Sequence, residues 1–371
     1  MLRCAACGTM NMDSSMLCKN CKRPLPAGAA LPAVPPPESR AARELMEELR
    51  DIDVVERDPA ELTAELVRVL RDAELPVLLD RYPATAVPDA KKLLTEVVEE
   101  KLKEMETHLS APVKHPELMM LLGSAAFMMA DYRKALDRFS AAAELDRASA
   151  AAEHNRAMSL FSLGRFDEAV ESFTRAITLK PDLEQAWANK GRALVAQGHG
   201  REALEYFERA LCLDRNDPEA WFSKGVTEED MGKFEEALRC MDIALRLRPD
   251  FVQAWNYKGD ALFHMGKAKE ALAAYDQALK IKPADFDAWN NKGIVHYSKR
   301  ELDRAVEAFD RALMIRTESE DAWFNKGTVL ELTGDPEGAL ACYDRALRLN
   351  PECEPARKAR EKLYSLGLGG N

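Results

Sequence analysis

The sequence predicts an all-α protein built as a stack of helical hairpins, and three observations carry that expectation. The five tryptophans, Trp187, Trp221, Trp255, Trp289 and Trp323, stand 34 residues apart at every step, and a fixed interval of that length marks a helical repeat array. With each tryptophan at position 4 of its unit, repeats start at 184, 218, 252, 286 and 320, and two backward steps add 116 and 150, so seven repeats span 116–353. In that frame positions 20 and 27 are alanine in all seven repeats, from Ala135 and Ala142 to Ala339 and Ala346. Positions 4, 8 and 11 then share one face of a first helix, and positions 20, 24 and 27 share one face of a second.

Composition bounds the rest. A chain of 371 residues is too long for one packed core. Lys and Arg number 52 against 63 Asp and Glu, a net charge of −11, which disfavours non-specific attraction to nucleic acid or anionic membrane. The longest apolar run, Leu118 to Ala130, is 13 residues, short of the roughly 20 a membrane span requires. The opening residues Met1-Leu2-Arg3-Cys4 lack the apolar stretch of a secretory signal. Four of the eight cysteines crowd into the first 21 residues, unlike the spread pairs of a secreted scaffold. A soluble, cytoplasmic protein is expected.

In chain order, residues 1–23 come first. Cys4-x2-Cys7-x10-Cys18-x2-Cys21 is two CxxC knuckles, the count and spacing of a closed tetrahedral site for one structural Zn2+. The segment looks like a short zinc ribbon, too small to hold a core without its metal. Residues 24–37, PLPAGAALPAVPPP, are a linker whose prolines bar a helix interior. Residues 38–115 carry 12 basic and 19 acidic residues and read as a helical module. There Asp58-Pro59-Ala60-Glu61 supplies an N-cap, a proline at the first helical position and a capping acid. Leu62, Leu66, Val69 and Leu70 follow on one face, and Leu94, Val98, Leu102, Met105 and Leu109 line a second stripe near 88–110.

Within the repeats, position 8 is small, as Gly191 or Gly327, and lets the second helix approach. Gly164, Gly198, Gly232, Gly266 and Gly334 at position 15 end first helices. Pro181, Pro249, Pro283 and Pro351 at position 32 punctuate the second. The tryptophans are expected to fill the core. These residues match the pattern W-x2-L-G-x2-Y…A-x3-F…A…P, and over about two-thirds of its length the chain resembles the tetratricopeptide repeat family. One departure is regular: the leucine before the glycine is lysine at 190, 224, 258, 292 and 326, expected to lay its stem on the surface with its ammonium in water. The resemblance implies a right-handed α-solenoid. Residues 354–371 are a capping helix and tail, in which Glu354 to Leu366 is amphipathic and covers the last exposed face.

Catalytic signatures are absent, with no GxSxG, HExxH, Walker loop or GxGxxG, so no enzyme is expected. The resemblance implies an interaction scaffold that holds a partner protein or peptide on its concave face, lined by positions 5, 6, 9, 12 and 13. Those positions supply aromatics, Phe127, Phe161, Phe263 and Tyr297 with Phe222 and Phe324, and asparagines, Asn155, Asn189, Asn256, Asn290, Asn291 and Asn325. Their charges are Glu229, Asp230, Asp260 and Glu331 against Arg192, which calls for an apolar partner segment with basic residues. Two alternatives compete. A nucleic-acid factor using the ribbon is disfavoured, because residues 1–37 hold no aromatic for stacking. A chaperone-type adaptor needs lysine at position 5 and asparagine at position 9, and neither pattern is present.

Overall fold

The computed structural model describes residues 114–365 continuously, together with 2–3, 10–11, 48, 64, 66–70, 100 and 103. The four clustered cysteines, the Pro/Ala-rich linker and most of the 38–113 stretch lie outside the described residues. Two short strands, Leu2–Arg3 and Met10–Asn11, pair antiparallel with Leu2 opposite Asn11. Residues 66–70 are helical, and Leu66, Val69 and Leu70 are buried as their spacing predicts. The chain divides into two compact units, Met1–Lys180 and Pro181–Asn371.

In the first unit two helical hairpins follow residue 115: α1 (Pro116–Met128) with α2 (Tyr132–Leu145), and α3 (Ala150–Ser162) with α4 (Phe166–Leu179). The helices start where the sequence supplies caps. Asp131 accepts from the Lys134 amide at 3.1 Å and Ser149 from the Ala152 amide at 3.2 Å, each satisfying an amide with no partner inside its helix. The core between α1 and α2 is Phe139 against Gly123, where a Cβ would stand 2.6 Å from the ring. Only the bare glycine admits the aromatic side chain at that separation.

The second unit holds five hairpins and one further helix. Its helices are α5 (Glu184–Ala196), α6 (Gly200–Leu213), α7 (Pro218–Asp230), α8 (Phe234–Leu247), α9 (Val252–His264) and α10 (Ala268–Ile281). They continue as α11 (Phe286–Ser298), α12 (Leu302–Ile315), α13 (Glu320–Thr333), α14 (Pro336–Leu349) and α15 (Glu354–Ser365). Phe207, Tyr275, Phe309 and Tyr343 at position 24 are fully buried, facing Gly191, Gly259, Gly293 and Gly327. Position 15 is left-handed, as in Gly198 at φ 82° and Gly266 at φ 76°. The same conformation is forced on Ala130 at φ 59° in the first unit and Arg300 at φ 61° in the second, where sequence alone offers no glycine.

Three features differ from the sequence-based expectation. The tryptophans are half-buried, and each indole N–H donates to a backbone carbonyl six residues upstream, as Trp255 to Pro249 at 2.9 Å and Trp323 to Thr317 at 3.0 Å. They fasten a first helix to the turn that precedes it, with the polar end of the ring satisfied. The position-7 lysines are not free in water. Lys224 reaches Glu208 at 2.9 Å, and Lys258, Lys292 and Lys326 reach Asp242, Asp276 and Asp310 at 2.6 Å each, the acid lying at position 25 of the preceding second helix. Position 3, unremarked in the sequence, is sealed in every first helix, from Leu118 and Ala152 to Ala322, at 0% exposure.

Helix α15 continues the register as an eighth first helix. Ala356 at position 3 and Leu363 are buried. Arg357 stands where tryptophan would, and donates to the Pro351 carbonyl at 2.6 Å. Arg360 repeats the position-7 pairing, reaching Asp344 at 3.2 Å.

Candidate functional site

In the first unit Phe127 packs edge-on to Tyr132 at 5.2 Å and Phe161 to Phe166 at 5.4 Å. Each ring is half-buried and closes the hairpin at the base of its first helix. Asn155 is half-buried beside His154. His154 packs against the Phe173 ring at 5.6 Å, and burial pushes its pKa down to about 4.

In the second unit most of the polar residues singled out by sequence act as struts between successive first helices. Arg192 of α5 donates to Ser223 Oγ at 3.0 Å and to Asn189 Oδ1 at 3.3 Å, and lies 3.7 Å from Glu219 of α7. Asn256 of α9 is buried and donates to Asp285 Oδ1 at 2.9 Å, the residue that caps α11. Asp260 accepts from Tyr275 Oη at 2.6 Å and from Asn291 Nδ2 at 2.8 Å, tying α9 to α10 and α11. Asn290 donates to Asn291 Oδ1 at 3.4 Å. Glu331 accepts from Tyr343 Oη at 3.1 Å and from Lys362 of α15 at 2.6 Å. Asn325 is half-buried on α13.

The aromatics divide between packing and exposure in the same way. Phe222 contacts Phe251 at 4.8 Å and Tyr257 edge-on at 5.3 Å. Phe263 lies against the core that contains Tyr275 and Leu262, Tyr297 against Phe309 and Val329, and Phe324 against Tyr343 at 5.8 Å. All are half-buried, with one edge in the core and the other reaching the surface.

Glu229 and Asp230, at the end of α7, stand apart from the struts. Glu229 Oε2 is enclosed and makes no hydrogen bond. Burial, with Asp260 and Asp230 adding repulsion, pushes the Glu229 carboxyl up to about 8. The Asp260 carboxyl is also raised by burial, with the hydrogen bonds from Tyr275 and Asn291 acting against the rise. Tyr257, missed by the sequence reading, has its phenol raised by burial and then by Glu229, Asp230, Asp260 and Asp287. Its signal was available, since position 6 is asparagine in four repeats and tyrosine here alone. Asp230 is exposed and lines a cavity of about 700 Å3 with Val195, His199, Thr227 and Met231. This face therefore offers carboxylates and aromatic edges, while Arg192 is already engaged.

Burial pushes the Cys240 thiol up to about 12 and the Cys342 thiol up to about 11, which keeps both protonated and inert. Among the described residues no group of three His, Cys, Asp or Glu side chains is arranged to hold a metal. Among them, too, no helix is long and apolar enough to cross a membrane.

Tetratricopeptide repeat family models match residues 116–184, 227–286 and 265–320, residues 160–223, and residues 320–353. No curated protein matches the chain. Among solved structures, the Cut9–Hcn1 hetero-tetramer of the APC/C is 14% identical, with 86% of this chain and 66% of that one covered at a TM-score of 0.56. PilF of Pseudomonas aeruginosa is 16% identical over 58% of this chain and 98% of its own, at 0.51. YrrB, a TPR protein with an unusual peptide-binding site, is 23% identical over 52% and 99%, at 0.42. At these identities the likeness to Cut9–Hcn1 and PilF is one of fold alone.

Proposed function

The chain belongs to the tetratricopeptide repeat family, and on that premise we propose that it is a non-catalytic scaffold whose first-helix face in the Pro181–Asn371 unit holds a partner segment bearing apolar and basic residues. The observation that carries this reading is the imbalance of uncommitted ionisable groups: Asp230 is an exposed carboxylate, and Glu229 is a carboxyl whose raised pKa an arriving cation would bring down. Glu229 and Asp230 have no cationic partner among the described contacts, whereas Arg192 is bonded to Ser223 and Asn189. Carboxylates beside the half-buried edges of Phe222, Tyr257 and Phe263 favour a lysine or arginine flanked by apolar side chains. Fluorescence titration with basic-apolar and acidic peptide libraries tests it. Basic-apolar peptides should bind more tightly, and Phe263→Ala with Asp260→Lys should weaken them; tighter binding of acidic peptides overturns the reading.

The N-terminal segment serves as a second docking module in this proposal, folded around one structural Zn2+ held by Cys4, Cys7, Cys18 and Cys21. The donor set supports it, since four thiolates at two CxxC spacings suit a closed site. The pairing of residues 2–3 with 10–11 also brackets the first CxxC. Elemental analysis of unchelated protein should give one zinc per chain, lost in Cys18→Ser while the helical content of the repeats persists. Metal-free protein overturns the zinc assignment and leaves the peptide reading standing.

A further inference from the structure

Repeat 4, the α7–α8 hairpin, departs from the other repeats at the two places where a hairpin is held together. Position 24 fills the gap left by the small residue at position 8, and six of the seven repeats use a ring: Phe139, Phe173, Phe207, Tyr275, Phe309 and Tyr343, none more than 2% exposed. Repeat 4 uses Met241, whose terminal methyl is the atom that faces Gly225. Methionine fills such a gap flexibly and fixes its geometry less than a ring does.

Position 11 is the second place. Leu160, Leu194 and Leu262 occupy it at 1–3% exposure, and repeat 4 puts Glu228 there, 6% exposed. One carboxylate oxygen of Glu228 accepts only from the Cys240 thiol at 3.5 Å, a weak donor. The other lies 4.0 Å from Lys224, which is drawn to Glu208 at 2.9 Å. A carboxylate taken out of water with partners this weak costs more than it returns. Repeat 6 also carries a polar residue at position 11, but His296 is met by Glu301 at 2.6 Å and the repeat keeps Phe309. Repeat 4 alone combines both defects.

We propose that α7–α8 is the yielding repeat of the Pro181–Asn371 unit, opening locally ahead of the hairpins on either side. In a stack whose units are stabilised chiefly by their neighbours, one weak inner unit decides where the stack parts. Glu229 and Asp230 directly follow Glu228 on α7, so opening withdraws these acids from the first-helix face, whatever that face binds.

Hydrogen exchange read by mass spectrometry on the full chain tests this. Amides of 218–247 should exchange at least about tenfold faster than those of 184–213 and 252–281. Glu228→Leu, which supplies the leucine that both flanking repeats carry, should slow 218–247 toward the rate of its neighbours, and Met241→Phe should act in the same direction. If Met241→Phe fails to fold, Glu228→Leu with Glu228→Gln as the uncharged control carries the test. Exchange in 218–247 as slow as in the flanking hairpins overturns the proposal, and so does fast exchange that Glu228→Leu leaves unchanged.

Discussion

The hairpins of the Met1–Lys180 unit and those of the Pro181–Asn371 unit keep one register and decorate it differently. At position 4 the second unit has tryptophan throughout, and the first has Met119 and Glu153. At position 26, Arg209 and Arg311 lie over the rings of Trp187 and Trp289 at 5.7 and 5.6 Å. In the first unit Arg175 at that position lies 3.8 Å from Glu153 instead. A cation meets position 4 in both units, by ring attraction in one and by ion pairing in the other. What does not change is the small-residue framework: position 20 is alanine everywhere and 0% exposed. Backbone approach specifies the hairpin, and the surrounding side chains are exchangeable as long as each finds a partner.

Acidity should separate the two units most strongly. His154 in the first unit is held near 4 rather than 6.5. Its contribution to stability is present above 6.5 and lost as pH falls from there through 4. Glu229 in the second unit is held near 8 rather than 4.5. Its contribution is present below 4.5 and lost as pH rises from there through 8. Urea melts across pH 4–8 should show wild type losing ground to His154→Phe on acidification and to Glu229→Gln on alkalinisation. Parallel pH profiles for wild type and both variants would break the distinction.

The glycine at position 8 gives the next effect. Gly293→Ala places a methyl where the Phe309 ring stands 2.6 Å away, and should cost about 2 kcal/mol of overpacking beyond any gain in helix propensity. In the first unit alanine already occupies that position as Ala157, fully buried, so Ala157→Gly should cost at least about 1 kcal/mol from helix propensity, with the loss of a buried methyl added. Trp255→Phe removes the hydrogen bond to the Pro249 carbonyl and should lose about 1 kcal/mol. Arg300→Gly and Ala130→Gly relieve a left-handed residue in each unit and should each gain about 0.5 kcal/mol in the same denaturant melts. Smallest of all, Lys292→Met breaks the pairing with Asp276. It should change stability by no more than about 0.5 kcal/mol, less still at high salt.

The sequence made the hairpins legible because alanine and glycine recur where helices touch, and contact between helices is a periodic property. Placing the first helices at 116, 184 or 320 needed nothing beyond the tryptophan interval, and α1, α5 and α13 start there. The roles of the polar residues were not legible in the same way. Arg192, Asp260, Asn291 and Glu331 project to the same side of their first helices as Glu229 does of its own, but Arg192 bonds Ser223, Asp260 bonds Tyr275 and Asn291, and Glu331 bonds Lys362. Pairings 12 to 31 residues apart depend on how the helices of a hairpin, or successive first helices, sit on one another, which a single-helix projection does not contain. The tryptophan bond to a carbonyl six residues back was hidden for the same reason, since backbone acceptors leave no mark in sequence.

An array with translational register is an open lattice, and nothing in its inner contacts tells it how many units to have. In this chain the register runs on into helix α15, whose side chains depart from those of the hairpins. The helix presents Glu361 at position 8, where the five hairpins before it have glycine, and Arg357 at position 4. A further second helix, from this chain or from another copy, would meet a charged side chain where the rings of the hairpins meet glycine or alanine. The buried side of α15, Ala356 and Leu363, packs in the core of the last hairpin. Replacing Glu361 with glycine and Arg357 with tryptophan should make that end adhesive to a second copy, which sedimentation at rising protein concentration would read as self-association.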